Sequence, residues 1–189
     1  SLIESADRLA NTASVYGAFL KHLKASAKLP MVIRPAGYGL SDNLNEVYCE
    51  DANELIKYIQ GDILYLDPPY NARQYGANYH LLNTIAEYKP FCPKGKTGLR
   101  DYRRSLYCGK KTVSSSLESL VDKARFKYII LSYNNEGLMS LPEISHMMSK
   151  YGHYEMISRE YHRFRADKKE NRNHSADSTI EYLHILQKN

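Results

Sequence analysis

The four residues Asp67-Pro68-Pro69-Tyr70 combine the groups needed to act on a flat ring that carries an amino substituent. They follow Ile63-Leu64-Tyr65-Leu66, a continuous apolar run of the kind buried on both faces of a parallel strand. In open α/β sheets, ligands bind just beyond the carboxyl ends of such strands. Two consecutive prolines fix backbone dihedrals and remove two donors, so the loop is stiff and presents its carbonyls outward. A carboxylate and a carbonyl held together in this way can accept both hydrogens of an exocyclic amino group. Tyr70 adds a ring on which a base can stack, a contact of about 1–3 kcal/mol for an exposed base.

A second feature is electrostatic. Residues 89–111 contain Lys89, Lys94, Lys96, Arg100, Arg103, Arg104, Lys110 and Lys111 against Asp101 alone, a local charge of +7 in a chain of net charge +5, so the remainder sums to −2. A basic segment on a near-neutral body is the footprint of a nucleic-acid-contacting loop, and equally that of a solvated surface loop.

The elements that must position these groups read as an alternation. Leu9, Ala13, Tyr16, Leu20 and Leu23 recur at helical spacing and predict a helix over residues 1–28, with no proline before Pro30. Pro35, Gly37 and Gly39 mark a loop. A short strand is expected around Val47-Tyr48-Cys49, then a helix through Ala52, Leu55, Ile56 and Ile59, then the strand ending at Asp67. Helices follow over 81–88 and 114–125, with a buried strand over 128–133. After Pro142 a helix reaches about residue 150, and strands over 154–161 and 179–186 form an antiparallel hairpin at a sheet edge. This is an α/β pattern with a mostly parallel sheet.

At 189 residues and 43% hydrophobic content the chain is expected to fold as one globular domain. No segment approaches the roughly 20 apolar residues of a membrane span, and Ser1-Leu2-Ile3-Glu4 lacks the pattern of a secretory signal. Cys49, Cys92 and Cys108 form neither an even set nor a CxxC pair, and the histidines are scattered. The expectation is a cytoplasmic protein without a metal site.

Asp67-Pro68-Pro69-Tyr70 resembles the D-P-P-Y motif of amino-methylating DNA methyltransferases, and the likeness continues along the chain. Asn71-Ala72-Arg73-Gln74-Tyr75, Asn78-Tyr79-His80-Leu81-Leu82-Asn83-Thr84-Ile85, Leu131-Ser132-Tyr133-Asn134-Asn135-Glu136-Gly137 and Tyr161-His162-Arg163-Phe164 are similar to the Dam-like class of adenine-specific enzymes of the FokI modification-methylase type. The resemblance implies a Rossmann-like, S-adenosylmethionine-dependent methyltransferase sheet. It also implies transfer of a methyl group to the exocyclic amine of an adenine flipped out of double-stranded DNA, in a restriction-modification system. Asp67, Pro68, Pro69 and Tyr70 would be catalytic, with Tyr161 and Phe164 as further stacking candidates. Asp51, followed by Ala52, is similar to the family's acidic residue at the cofactor's adenine, or it caps the helix that begins beside it. Asn78 and His80 would line the methionine end of the cofactor, or belong to an ordinary amphipathic helix. Arg73 would contact phosphate or substrate, or form a surface ion pair. Lys94, Lys96, Arg100, Arg103, Arg104, Lys110 and Lys111 would contact DNA, giving a salt slope near −5 if about six of them touch phosphates.

The sequence departs from that family in one respect. Nothing matches the glycine-rich turn that ends the family's first strand, because Gly37-Tyr38-Gly39 follows Pro35 and not an apolar run. The expectation is therefore the carboxyl-terminal part of one methyltransferase domain, with the first strands missing, two sheet edges unpaired and a complementary chain as possible partner. Its alternative is a catalytically silent DNA-binding or interaction fragment. Methylation of a protein side-chain amide is disfavoured, since related enzymes of that kind carry Asn where Asp67 stands.

Overall fold

The computed structural model describes residues 1–10, 21–35, 37, 39, 42–162 and 178–189. Ala13, Tyr16, Leu20, Tyr38 and Phe164, which the sequence singled out, lie outside these. The chain divides into two compact units, residues 48–72 with 105–189 and residues 1–47 with 73–104.

The first of these is a mixed α/β body. Its helices are α2 (Ala52–Leu55), α5 (Val113–Lys123) and α6 (Leu141–Ser149), and its strands β1 (Gln60–Leu66), β2 (Arg125–Asn134), β3 (Gly152–His162) and β4 (Ser178–Lys188). They form one sheet in the order β1-β2-β4-β3. β1 runs parallel to β2 with Leu66 opposite Leu131. β4 is antiparallel to both its neighbours, with Ile130 opposite Ile185 on one side and Met156 opposite His184 on the other. The late hairpin is as expected and β3 is its edge strand. The sheet, however, is mixed, with one parallel and two antiparallel pairings, because β4 inserts between β2 and β3.

One face of the sheet carries the core. Ile129, Leu131 and Tyr133 of β2 and Leu186 of β4 pack on Val113, Leu117, Leu120 and Val121 of α5 and on Ile144, Met147 and Met148 of α6. The α5 residues sit at i, i+4, i+7 and i+8, the stripe an amphipathic helix buries, and each fully buried aliphatic side chain contributes about 1.5–3 kcal/mol. α6 starts at a capping box. Glu143 N–H donates to Ser140 Oγ, while Glu143 Oε2 accepts from Ser140 N–H and Oγ–H at 2.6 and 2.7 Å. These bonds hold the Glu143 carboxyl below its ordinary range.

The other unit contains α1 (Leu2–Leu9), a 3-10 turn at Ala25–Lys28, α3 (Tyr75–Asn78) and α4 (His80–Glu87). Arg8 ties α1 down through Glu4, Ser5 Oγ and the Val32 carbonyl. α4 ends at Tyr88, which adopts left-handed dihedrals with φ 49° and donates its N–H to Thr84 O.

Four expectations are corrected. The helix predicted over residues 1–28 ends at Leu9, where Ala10 turns to ψ 142°, and residues 21–24 are not helical. Val47-Tyr48-Cys49 is not a strand. Val47 is fully exposed there, since three apolar residues with no neighbouring ladder have nothing to pair with. The helix expected through Ile59 stops at Leu55. β1 is buried on one face only within its unit: Leu64 and Leu66 meet the core, whereas Ile63 and Tyr65 are 61% and 59% exposed, because α5 and α6 pack on one side of the sheet.

Two polar groups of β4, the buried His184 and the half-buried Lys188, make the sheet sensitive to pH and to substitution. His184 in β4 is fully buried, its Nδ1 is 2.8 Å from Tyr154 Oη, and its Nε2 has no partner among the described residues. Burial pushes its pKa down to about 4. The unfolded chain binds this proton near pH 6.5, so the stabilisation is complete above that pH and is lost as pH falls toward about 4, about 3 kcal/mol in all. Urea midpoints recorded between pH 4 and 7 should therefore fall with acid, and His184→Gln should flatten the slope. Lys188 Nζ donates to the Val121, Asp122 and Ala124 carbonyls at 2.8, 2.6 and 2.7 Å, closing the C-terminal turn of α5. Lys188→Met should cost about 2 kcal/mol in chemical denaturation.

Candidate functional site

The Asp67-to-Tyr70 loop leaves the sheet where β1 ends, at the carboxyl edge of the parallel pair. Asp67 is exposed, and Pro68, Pro69 and Tyr70 are half-buried. A Pro-Pro segment has no N–H of its own with which to anchor, so its position must be fixed by donors from elsewhere. One comes from the turn that follows β2: Leu138 N–H donates to the Tyr70 carbonyl at 2.9 Å. The Tyr70 ring meets that of Tyr133 edge to face, centroids 6.2 Å apart at 77°. Burial raises the Tyr70 hydroxyl pKa, reinforced by the negative charges of Glu181 and Asp67. Tyr70 is thus a neutral ring beside two carboxylates.

The turn is itself well held. Asn135 N–H donates to Ile180 O, and Asn135 Oδ1 accepts from Ile180 N–H and Thr179 Oγ1–H at 3.0 and 2.8 Å, which continues the β2–β4 ladder past its last paired residues. Tyr133, 1% exposed, accepts on Oη the Met139 N–H. A Cβ at Gly137 would collide with the Tyr133 ring, so only glycine fits there. Lys110 Nζ donates to Leu138 O at 2.5 Å. The contribution of Leu138, Tyr133, Glu181 and Lys110 to this loop was not legible in the sequence. The signal available was Asn134-Asn135-Glu136-Gly137, turn material directly after a buried strand.

Asp51 is the N-cap of α2 and accepts the Asn53 N–H on Oδ1 at 3.0 Å, with Ala52 the exposed first helical residue. Asn53 in turn accepts Tyr107 Oη–H at 2.7 Å and donates to Ser116 O at 2.8 Å, which joins α2 to α5. Burial, aided by the Asp51 charge, pushes the Tyr107 hydroxyl strongly up.

Asn78 and His80 belong to the other unit. Asn78 ends α3 and is half-buried. His80 opens α4 at 4% exposure with neither ring nitrogen partnered among the described residues, and burial, then the Arg100 charge, pushes its pKa down. Arg73 is exposed.

The basic segment 89–111 is split between the units. In the unit of residues 1–47 and 73–104, residues 94–99 form a tight turn: Lys94 and Leu99 exchange backbone hydrogen bonds of 2.9 and 2.7 Å, and Gly95 and Gly98 take φ 67° and 64°. That turn carries the exposed Lys96 on its loop. Lys94 pairs with Asp101 at 2.6 Å in the open. Arg100 is largely buried, donates to Glu87 Oε2 at 2.6 Å, lies 5.8 Å from the Phe91 ring, and has an Nη1 without a partner among the described residues. Arg103, Arg104 and Lys111 are exposed. Tyr161 stands exposed near the end of β3. Among the described residues no group of three or more His, Cys, Asp or Glu is placed to hold a metal ion, and no helix is long and apolar enough to cross a membrane.

Comparison with known proteins places these features. No solved structure matches the chain. The type II methyltransferase M.NlaIII of Neisseria lactamica is 61% identical over 188 residues, which is 100% of this chain and 56% of that protein. M.FokI of Planomicrobium okeanokoites is 41% identical over 99% of this chain and 29% of its own length, and M.CviAII of Paramecium bursaria Chlorella virus 1 is 40% identical over 88% and 50%. The chain thus spans about half or less of these relatives. The sequence pattern of one family matches residues 1–150, four-fifths of the chain, and the mixed four-stranded sheet is consistent with its S-adenosylmethionine-dependent methyltransferase fold. By that match the chain belongs to the D12 class N6 adenine-specific DNA methyltransferases.

Proposed function

We propose that this chain carries the methyl-transfer site of a restriction-modification enzyme that methylates the exocyclic amine of adenine in double-stranded DNA. The observation that carries the reading is the Asp67-to-Tyr70 loop at the carboxyl end of β1, held by the Leu138 amide. The nitrogen of an aromatic amine is a poor nucleophile because its lone pair is delocalised into the ring. Asp67 and the Pro68 carbonyl, accepting the two amino hydrogens, would localise that pair and stabilise the positive charge that develops on attack. Holding the amine in line provides much of the remaining acceleration. Taking the adenine out of the duplex costs a few kcal/mol, which stacking on Tyr70, with Tyr161 and Phe164 as further candidates, would partly return.

S-adenosylmethionine, as the methyl donor, supplies an electrophilic sulfonium. The residues present fit such a group in two respects. Asp51 is a carboxylate at a loop-to-helix junction, the kind of group that accepts hydrogens of the donor's adenine. By the family resemblance alone, His80 and Asn78 of the other unit are candidates for the methionine end, and the His80 ring nitrogens have no partner among the described residues.

For DNA, the exposed Lys96, Arg103, Arg104 and Lys111 are the phosphate contacts of this reading, and Arg73 a further candidate. Lys94 joins them only by releasing Asp101, a cheap exchange for an exposed pair. Arg100 is engaged with Glu87 and largely buried, so its role is to fix the segment.

The test uses the full-length polypeptide with tritiated-methyl transfer to duplex DNA. Asp67→Ala should lower the transfer rate by at least about 10²–10³-fold with little change in DNA affinity; equal loss of both would point to misfolding, and no transfer by the parent protein would favour a silent DNA-binding role. With four phosphate contacts, log affinity should fall against log salt with a slope of about −3.5. Replacing Lys96, Arg103, Arg104 and Lys111 together by Gln should remove most of that slope in DNA titrations between low and moderate salt.

A further inference from the structure

We infer that Lys110 is a positioning residue for the Asp67-to-Tyr70 loop, acting through the backbone at Leu138 and not through DNA. The inference rests on the methyl-transfer reading above and names a further residue that the reaction depends on.

Three hydrogen bonds meet at Leu138 and the peptide that follows it. Lys110 Nζ donates to the Leu138 carbonyl at 2.5 Å. The other end of that same peptide, Met139 N–H, donates to Tyr133 Oη at 3.3 Å. Leu138's own N–H donates to the Tyr70 carbonyl at 2.9 Å. The peptide is therefore fixed at its oxygen by a cation and at its nitrogen by a buried hydroxyl, and the neighbouring amide reaches the catalytic loop. A hydrogen bond from an ammonium is about twice as strong as one between neutral groups. It polarises the peptide, which strengthens the Met139 donor in turn.

The segment needs such a tether. Gly137 precedes Leu138, imposes little conformational restraint, and cannot be replaced because the Tyr133 ring occupies the space of a side chain. Without Lys110, among the described residues, the Leu138–Met139 peptide itself would be held by the longer Tyr133 contact. The Lys110 charge also helps to hold the Glu143 carboxyl down, a favourable attraction at the first turn of α6. The ammonium thus serves the Glu143 carboxylate and the Leu138 carbonyl together.

Lys110 also belongs to the basic segment, so the two roles make opposite predictions. The experiment compares Lys110→Met and Lys110→Arg with the parent in the full-length protein. It measures kcat and KM for methyl transfer, DNA affinity across a salt series, and amide hydrogen exchange over residues 134–140. If Lys110 positions the loop, Lys110→Met lowers kcat about tenfold, leaves DNA affinity and its salt slope unchanged, and speeds exchange at Leu138 and Met139, while Lys110→Arg retains most of the activity. A salt slope shallower by about 1 with kcat intact would make Lys110 a phosphate contact and overturn the inference. Unchanged kcat together with unchanged exchange would overturn it as well. Exchange that responds to Lys110→Met in a parent protein that transfers no methyl group would support the tether while refuting the methyl-transfer reading on which it was placed.

Discussion

A loop built on two prolines is rigid along its own length and helpless about its placement. It contributes carbonyls but no amide at Pro68 or Pro69, so it cannot join the sheet that delivers it. The bond from Leu138 N–H to the Tyr70 carbonyl resolves this, and much of the sheet-bearing unit can be understood as support for that donor. The parallel pairing of β1 with β2 brings the two strand ends to one edge. Asn135 locks the start of the turn to β4, and Tyr133, rooted in the core, holds its far side. Stiffness within the loop and tethering from outside together hold acceptors in place, as the proposed methyl transfer to a weak nucleophile would require.

Burial and charge are divided in this molecule between groups that hold the fold and groups left for partners. Lys188 spends its three donors on the end of α5, and Arg100 directs a guanidinium nitrogen to Glu87 beneath Phe91. Lys96, Arg104 and Lys111 remain at the surface. A count of basic residues treats all of these alike, yet a cation already engaged by carbonyls or by a carboxylate partner has less left to offer a phosphate.

The sequence disclosed those parts of the structure that rest on local rules. The stripe Val113, Leu117, Leu120, Val121, the Ser140–Glu143 box around Pro142, the polar break before the last strand and the Asp-Pro-Pro-Tyr ending of β1 each carry their signal within a few residues, and each is found in the structure. What it hid depends on distant partners. Val47-Tyr48-Cys49 looks like a strand by composition but has no ladder beside it. Ile63-Leu64-Tyr65-Leu66 looks buried on both sides, yet helices cover one face. Asp51 was ambiguous between cap and ligand contact, and the bond to Asn53 shows the cap. The clamp on Tyr70 joins residues 68 positions apart through a backbone amide, which no side-chain pattern announces.

The placement of β4 has a consequence for how the sheet can be made. β4 follows β3 in sequence but lies between β3 and β2, pairing Tyr128 with Gln187 on one side and Gly152 with Lys188 on the other. As the chain is synthesised, β1 and β2 can zip together while β3 has no strand to join. Both β2 and β3 then wait, each with an edge of unpaired backbone N–H and C=O groups, for β4, which follows them in the chain and must slot between them. Such long-range closure is intrinsically slow and exposes sticky intermediates. For this sheet, the interval before β4 arrives is the time of greatest exposure to mispairing.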